Sequence, residues 1–274
     1  MYSNSRKLVF LDIDGTLIPK SQKMTEKTIQ ALRKAYDNGH ILCICTGRTY
    51  CEMPEEMKRF DGIISAAGAC VIWKKKILLA EYFSEKEKKQ VEELLQEAAA
   101  IYTMEGFDDL YMKEEIYQSF VDRLEGCDEE EREVLKLFEK TNFCTETEKM
   151  KKVHKCSYFY AEKDGEWFRE RLKKWDMNVS AFSQGETRGN SGEITKAAFN
   201  KGSAIRFLSD YLGIPMENTI AVGDSENDLT MLRMAGVGIA MGNALAYVKE
   251  VADDVTRSVD EDGVYYAFLK YGLI

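Results

Sequence analysis

The sequence predicts an α/β protein: an open parallel sheet with a second, inserted α+β domain. Three observations predict it. Short, continuously apolar runs end on Asp or on Thr-Gly, as buried parallel strands do where they lead into ligand-binding loops. Strand and helix patterns alternate at both ends of the chain, which implies right-handed crossovers between parallel strands. The stretch between follows a different grammar, with charged amphipathic helices and one long strand-like run.

Taken in order, Lys7–Ile13 (KLVFLDI) is a β-rich apolar run that ends at the turn Asp14-Gly15-Thr16. Thr25 opens a helix whose Ile29, Leu32, Ala35 and Tyr36 share one face, and Asn38-Gly39 stops it. Ile41–Cys45 (ILCIC) is a fully apolar strand that closes on Thr46-Gly47-Arg48. Trp73–Lys76 (WKKK) reads as a hairpin turn. Ser84 and Glu87 form a capping box for a helix expected to run to Tyr102, with Val91, Leu94, Leu95 and Ala98 inward. A second helix is expected over Glu129–Lys140, its start marked by the acidic run Asp128–Glu133. Val153–Ala161 reads as a strand and Gly165–Trp175 as a helix. The C-terminal part returns to the first pattern: helix Lys201–Tyr211, strand Thr219–Val222 ending at Gly223-Asp224, helix Glu226–Met234, strand Val237–Met241, helix Ala244–Val251 and strand Asp254–Thr256. The expected division is a core of 1–83 and 191–274 around an inserted domain of 84–190.

Composition narrows the function. The 274 residues are 45% apolar and 31% charged, enough for about two packed domains and unlike a disordered chain. With 38 Lys and Arg against 47 Asp and Glu, the net charge of −9 argues against a nucleic-acid surface, while a small phosphorylated ligand needs only a local positive site. The 7 cysteines are scattered without a CxxC pair and there are only 2 histidines, which disfavours a Cys/His zinc site and fits free thiols in a reducing cytoplasm. No apolar run approaches the ~20 residues of a membrane span, and the first residues lack a signal-peptide pattern. The expectation is therefore a cytoplasmic protein without membrane contact, monomeric by default. Gly236, Gly238 and Gly242 follow the wrong strand and have the wrong spacing for a dinucleotide fingerprint.

The chemistry concentrates in FLDIDGTL. Asp12 and Asp14, two residues apart at a strand end, project into the crevice above the sheet. Carboxylates so placed repel each other and lose water, which costs free energy unless a cation or a proton compensates. The string resembles the first motif of the haloacid dehalogenase-like (HAD) superfamily of phosphohydrolases. Three further matches follow in order: Thr46 in CICTGR, Lys201 in NKGSA, and Asp224, Asn227 and Asp228 in VGDSENDLTML. The downstream AGVGIAMGNA and DDVTRSVDEDGV resemble the Cof-type branch, in which an α/β cap follows the second motif. The gap of 155 positions between Thr46 and Lys201 leaves room for one. One departure stands out: the branch often has Asn-Gly-Ala after the third strand, and this chain has Ala67 in the asparagine position.

The resemblance implies a Rossmann-like core and a Mg²⁺-dependent phosphatase acting on a small phosphorylated metabolite, such as a sugar phosphate, through an aspartyl-phosphate. It assigns Asp12 as nucleophile and Asp14 as general acid and base. Thr46, the backbone N–H at Gly47 and Lys201 hold the phosphoryl group, and Asn227 positions either that group or Lys201. Asp12, Asp14 (through its backbone carbonyl), Asp224 and Asp228 hold the metal. Asp224 and Asp228 are four apart and are expected to share a helix face. The same residues also suit a phosphomutase with the same intermediate, or a non-catalytic phospholigand-binding regulator.

Overall fold

The computed structural model describes residues 6–19, 23–126, 143–144, 150–180 and 190–274. The chain divides into two compact units, Met1–Arg48 with Met53–Ala80 and Phe199–Ile274, and Thr49–Glu52 with Glu81–Ala198. In chain order the regular elements begin β1 (Leu8–Leu11), α1 (Glu26–Asp37), β2 (Ile41–Cys45), β3 (Gly62–Ser65), β4 (Cys70–Trp73) and β5 (Lys76–Ala80). There follow α2 (Glu85–Glu97), β6 (Ile101–Gly106), β7 (Leu110–Tyr111), α3 (Glu114–Gly126), β8 (Phe143–Cys144), β9 (Val153–Ala161), α4 (Gly165–Leu172), β10 (Met177–Ser180) and β11 (Asn190–Lys196). The chain ends with α5 (Lys201–Leu212), β12 (Thr219–Gly223), α6 (Leu229–Met234), β13 (Val237–Ala240), α7 (Ala246–Val251), β14 (Asp254–Val255) and α8 (Gly263–Lys270).

In the first unit the strands order as β14-β13-β12-β1-β2-β3-β4-β5. They run parallel from β14 to β3 and antiparallel through β4 and β5. The central strand β1 is buried along its length and pairs with β2 on one side (Leu8↔Ile41) and β12 on the other (Leu8↔Thr219). Parallel pairing in this register sets the carboxyl ends of β1, β2 and β12 side by side, where the sheet's connections diverge and ligands bind in folds of this type. The helix starts were legible. Thr25 caps α1 by accepting from Thr28 N, and Asn200 caps α5 in a capping box with Ser203. The WKKK turn is a two-residue hairpin with Lys74 and Lys75 both left-handed, φ 46° and 67°.

The second unit carries a separate sheet ordered β10-β11-β9-β6-β7-β8. One cluster of buried side chains joins α2 and α4 to this sheet through Val91, Leu95, Tyr102, Tyr158, Phe168 and Ile194. The Ser84–Glu87 capping box forms as expected. The helix it opens stops at Glu97, five residues short of the expected end: Ala99 turns left-handed (φ 48°), and Tyr102 belongs to a strand. Residues 191–196 were expected in the core, but β11 pairs with β9 and β10 in the second sheet, and the division falls after Ala198. The helix expected over Glu129–Lys140 lies outside the described residues. No helix among the described residues is long and apolar enough to cross a membrane.

Lys155 is buried in the second unit between Glu105 (3.0 Å) and Glu193 (2.5 Å). Burial, and then the negative charge of Glu52, push the Glu105 carboxyl up to about 8. Its folded pKa therefore exceeds the unfolded value, so the native state holds the extra proton and stability falls as pH rises from about 4.5 through 8. Glu105→Gln removes that slope. Its melting temperature is expected to match wild type near pH 5 and to exceed it near pH 9, as measured by circular dichroism. A difference independent of pH would contradict this account of the cluster.

Candidate active site

Asp12 follows β1 directly, and its backbone N–H continues the ladder by donating to Val222 O at 3.1 Å. Its side chain is buried. Oδ1 accepts a 2.7 Å hydrogen bond from Lys201 Nζ, whereas Oδ2 receives none from the described residues. Lys201, at the start of α5, has no solvent exposure and also donates to Asp228 Oδ1 at 2.5 Å. Asp224, at the end of β12, accepts from Thr16 Oγ1 at 2.9 Å. One carboxylate oxygen from each of Asp12, Asp224 and Asp228 lies within 4.8 Å of the others. Gly15 is required beside them: it sits at φ +82°, and a Cβ there would lie 2.3 Å from Asp224 Oδ2.

Three carboxylates thus crowd a buried space with one ammonium, which bonds Asp12 and Asp228. Burial, reinforced by the Asp228 charge, holds the Asp12 carboxyl well above the usual carboxylate range. Burial and Asp228 likewise push Asp224 up to about 8. Burial works to lower Lys201, but the charges of Asp12 and Asp228 outweigh it and hold the ammonium firmly protonated. The site is short of positive charge.

Asp224 and Asp228 meet by a different route from a shared helix face. Residues 226–228 form a single 3₁₀ turn, and Asp228 folds back over it so that Oδ2 accepts from Asp224 N and Ser225 N at 2.9 Å each and from Ser225 Oγ at 3.1 Å. With Oδ1 taken by Lys201, Asp228 fixes both the loop and the lysine. Asn227 Oδ1 accepts from Ser225 Oγ at 3.0 Å on the same turn.

On the other side of β1, Thr46 is buried at the end of β2, and its Oγ1 accepts from Arg48 N at 3.2 Å, so that the loop closes tightly around buried Gly47. A second segment fastens this loop: Ala67 N donates to Thr46 O (3.0 Å) and Ala66 N to Arg48 O (2.8 Å). Both alanines are left-handed, φ 50° and 53°. Asparagine tolerates that conformation far better than alanine, which gives the branch's usual residue at position 67 a backbone reason. Gly68 follows at φ +108°, where a Cβ would meet Asn200 O at 2.3 Å. Asp14 departs from the cluster. Its two oxygens are taken by Arg48, Nε to Oδ2 at 2.7 Å and Nη2 to Oδ1 at 2.6 Å. Sequence reasoning gave no role to Thr16, Ser225 or Arg48. Thr16 and Arg48 stand inside the strings DIDGT and TGR, and only their contacts in the fold give them one.

An acid-rich centre at the carboxyl ends of a parallel α/β sheet, with one buried lysine, defines an enzyme suited to anionic substrates and hard cations. The chain belongs to the haloacid dehalogenase-like hydrolase family, whose pattern matches residues 9–268. It is 29% identical over 276 residues to the 5-amino-6-(5-phospho-D-ribitylamino)uracil phosphatase YitU of Bacillus subtilis (strain 168), covering 94% of each chain. It is also 29% identical over 267 residues to the phosphoglycolate phosphatase of Methanobrevibacter smithii, covering 97% of this chain and 98% of that one. Its fold is similar to that of the HAD subclass IIB sugar phosphatase BT4131, with a TM-score of 0.80 at 24% identity over 98% of this chain and 100% of that one. The protein is a phosphatase of this family, a phosphoric monoester hydrolase.

Strain at Ala67 is directly measurable. Ala67→Gly removes the Cβ that opposes a left-handed backbone, a gain partly offset by glycine's greater unfolded entropy, so stability should rise by about 1 kcal/mol in denaturant unfolding. A neutral or destabilising result would show that the turn is not strained.

Proposed function

We propose that the protein hydrolyses phosphate monoesters of small metabolites in a magnesium-dependent reaction that passes through a phosphoryl group on Asp12. The observation that carries this is the pair of environments on one carboxylate: Oδ1 is fixed by Lys201, while Oδ2 is buried without a donor among the described residues. An oxygen so placed is oriented, poorly solvated and open to an electrophile.

The residues fit a divalent cation. The donors are hard oxygens, and the cluster sets three carboxylates against one ammonium. Asp12, Asp224 and the Asp14 backbone carbonyl would hold magnesium directly, with Asp228 behind them, since both oxygens of Asp228 already have donors. Bound magnesium supplies the charge neutralisation that lets an anionic carboxylate approach an anionic phosphate.

The chain's own groups account for the steps. Asp12 Oδ2 forms a bond to phosphorus as the ester P–O bond breaks, and the leaving oxygen keeps the electron pair and takes a proton from Asp14. Lys201, Thr46 Oγ1 and the Gly47 N–H hold the charged phosphoryl oxygens, and Asn227 orients them. Water then attacks phosphorus, Asp14 takes its proton, and the Asp12–phosphorus bond breaks to release phosphate. The relatives named above act on unlike leaving groups, namely a ribitylaminouracil, glycolate and a sugar. They support a small phosphorylated substrate and leave its leaving group to be found by profiling a metabolite panel.

Hydrolysis of p-nitrophenyl phosphate tests the scheme. Asp12→Asn should fold, since Lys201 keeps Asp228, and should lose essentially all turnover; survival of about a tenth of the activity would show the nucleophile lies elsewhere. Asp14→Asn should lower kcat by the ~10²–10⁴-fold typical of lost acid–base catalysis. EDTA should abolish activity and added Mg²⁺ restore it, whereas full activity in EDTA would refute the metal requirement.

A further inference from the structure

Among the described residues Lys201 meets Asp12 and Arg48 meets Asp14, and the scheme above gives Arg48 no task. We propose that Arg48 is a positioning residue for Asp14 and acts on turnover through that carboxylate; this rests on the assignment of Asp14 as general acid and base.

Three features support the inference. The contact is a fork: Nε and Nη2 each meet a different oxygen of Asp14, at 2.7 and 2.6 Å. A planar guanidinium fixes a carboxylate in position and in rotation about its Cβ–Cγ bond, which a lysine's point charge does not. The backbone of Arg48 is pinned on both sides, its N–H by Thr46 Oγ1 (3.2 Å) and its carbonyl by Ala66 N (2.8 Å). The fork therefore stands on the loop that carries Thr46 and Gly47. Asp14 in turn follows β1 and precedes Gly15, whose left-handed backbone starts the turn that brings Thr16 to Asp224. Arg48 thus ties the acid–base carboxylate on one strand end to the phosphate loop on the next, with side chains only a third (Arg48) and an eighth (Asp14) exposed.

The fork also defines how Asp14 works in the two half-reactions. With both oxygens accepting from Arg48, Asp14 is held in one orientation for proton transfer. As water's oxygen bonds to phosphorus and the Asp12–phosphorus bond returns its electron pair to Asp12, water's proton passes to one oxygen of Asp14. That oxygen then leaves the fork while the other stays held. In the first half-reaction the same proton passes to the leaving oxygen and the full fork re-forms. An arginine contacting substrate phosphate directly would be needed for binding, whereas one acting through Asp14 matters for turnover.

A double-mutant cycle on p-nitrophenyl phosphate separates these roles. Arg48→Ala should lower kcat about 10- to 100-fold with KM changed less than about threefold, and Arg48→Lys should fall between it and wild type. Introduced into Asp14→Asn, Arg48→Ala should cost less than about threefold further. An equal loss in both backgrounds, or a rise in KM with kcat retained, would overturn the proposal. Circular dichroism checks folding, and if the alanine variant does not fold, Arg48→Lys carries the same cycle with the same criteria. If Asp14→Asn alone stays within threefold of wild type, the assignment of Asp14 fails and this proposal with it; a crippled Asp14→Asn with an additive Arg48→Ala overturns the role of Arg48 alone.

Discussion

Three buried carboxylates around one buried ammonium set the terms for the rest of this structure. Asp12 follows one strand and lies more than 200 positions before Asp224 and Asp228, which share a strand end and the turn after it, and Lys201 Nζ bridges Asp12 and Asp228 at 2.7 and 2.5 Å. Like charges brought this close without water destabilise the fold unless something offsets them, and Lys201 offsets only part. The pKa shifts of Asp12 and Asp224 express that deficit. A protein holds such an arrangement when a substrate or cation relieves it, and phosphoryl transfer brings both needs to one place: a nucleophile that must be anionic and a target that already is.

The loops around the cluster hold this arrangement open. Gly15 admits the Asp224 carboxylate where any side chain would collide with it, and Asp228 spends its second oxygen on two backbone amides and a hydroxyl instead of on solvent. The left-handed Ala66 and Ala67 present two N–H groups to the carbonyls flanking Gly47. Rigidity here is bought with local strain, which is common where a site must be formed before its ligand arrives.

Much of this was legible in the sequence, and the reasons differ by element. The strands β1, β2 and β12 are continuous apolar runs ending on polar residues, the pattern of a doubly covered parallel sheet, and Asp12, Thr46 and Asp224 stand at one end of that sheet. Lys201 was legible only through its order and distance from the other motifs. The helix beginning at Ser84 was overextended because Ala98, Ala100 and Ile101 continue its apolar spacing; what ends it is a left-handed turn at Ala99, and alanine gives no sign of that. The limit of the inserted domain was missed for a related reason. Residues 191–196 have no intrinsic mark of the sheet they join, and pairing with β9 and β10 decides it. The fork between Arg48 and Asp14 joins residues 34 positions apart and has no pattern of its own in the chain.

Trapping the phosphorylated protein tests the central claim most directly. Acid quenching during turnover of a phosphate monoester, followed by mass spectrometry of the peptides, should find one phosphoryl group on the peptide that carries Asp12 and lose it when EDTA replaces Mg²⁺. A label on another residue, or one indifferent to chelation, would contradict the view that a cation lets this crowded carboxylate capture phosphorus.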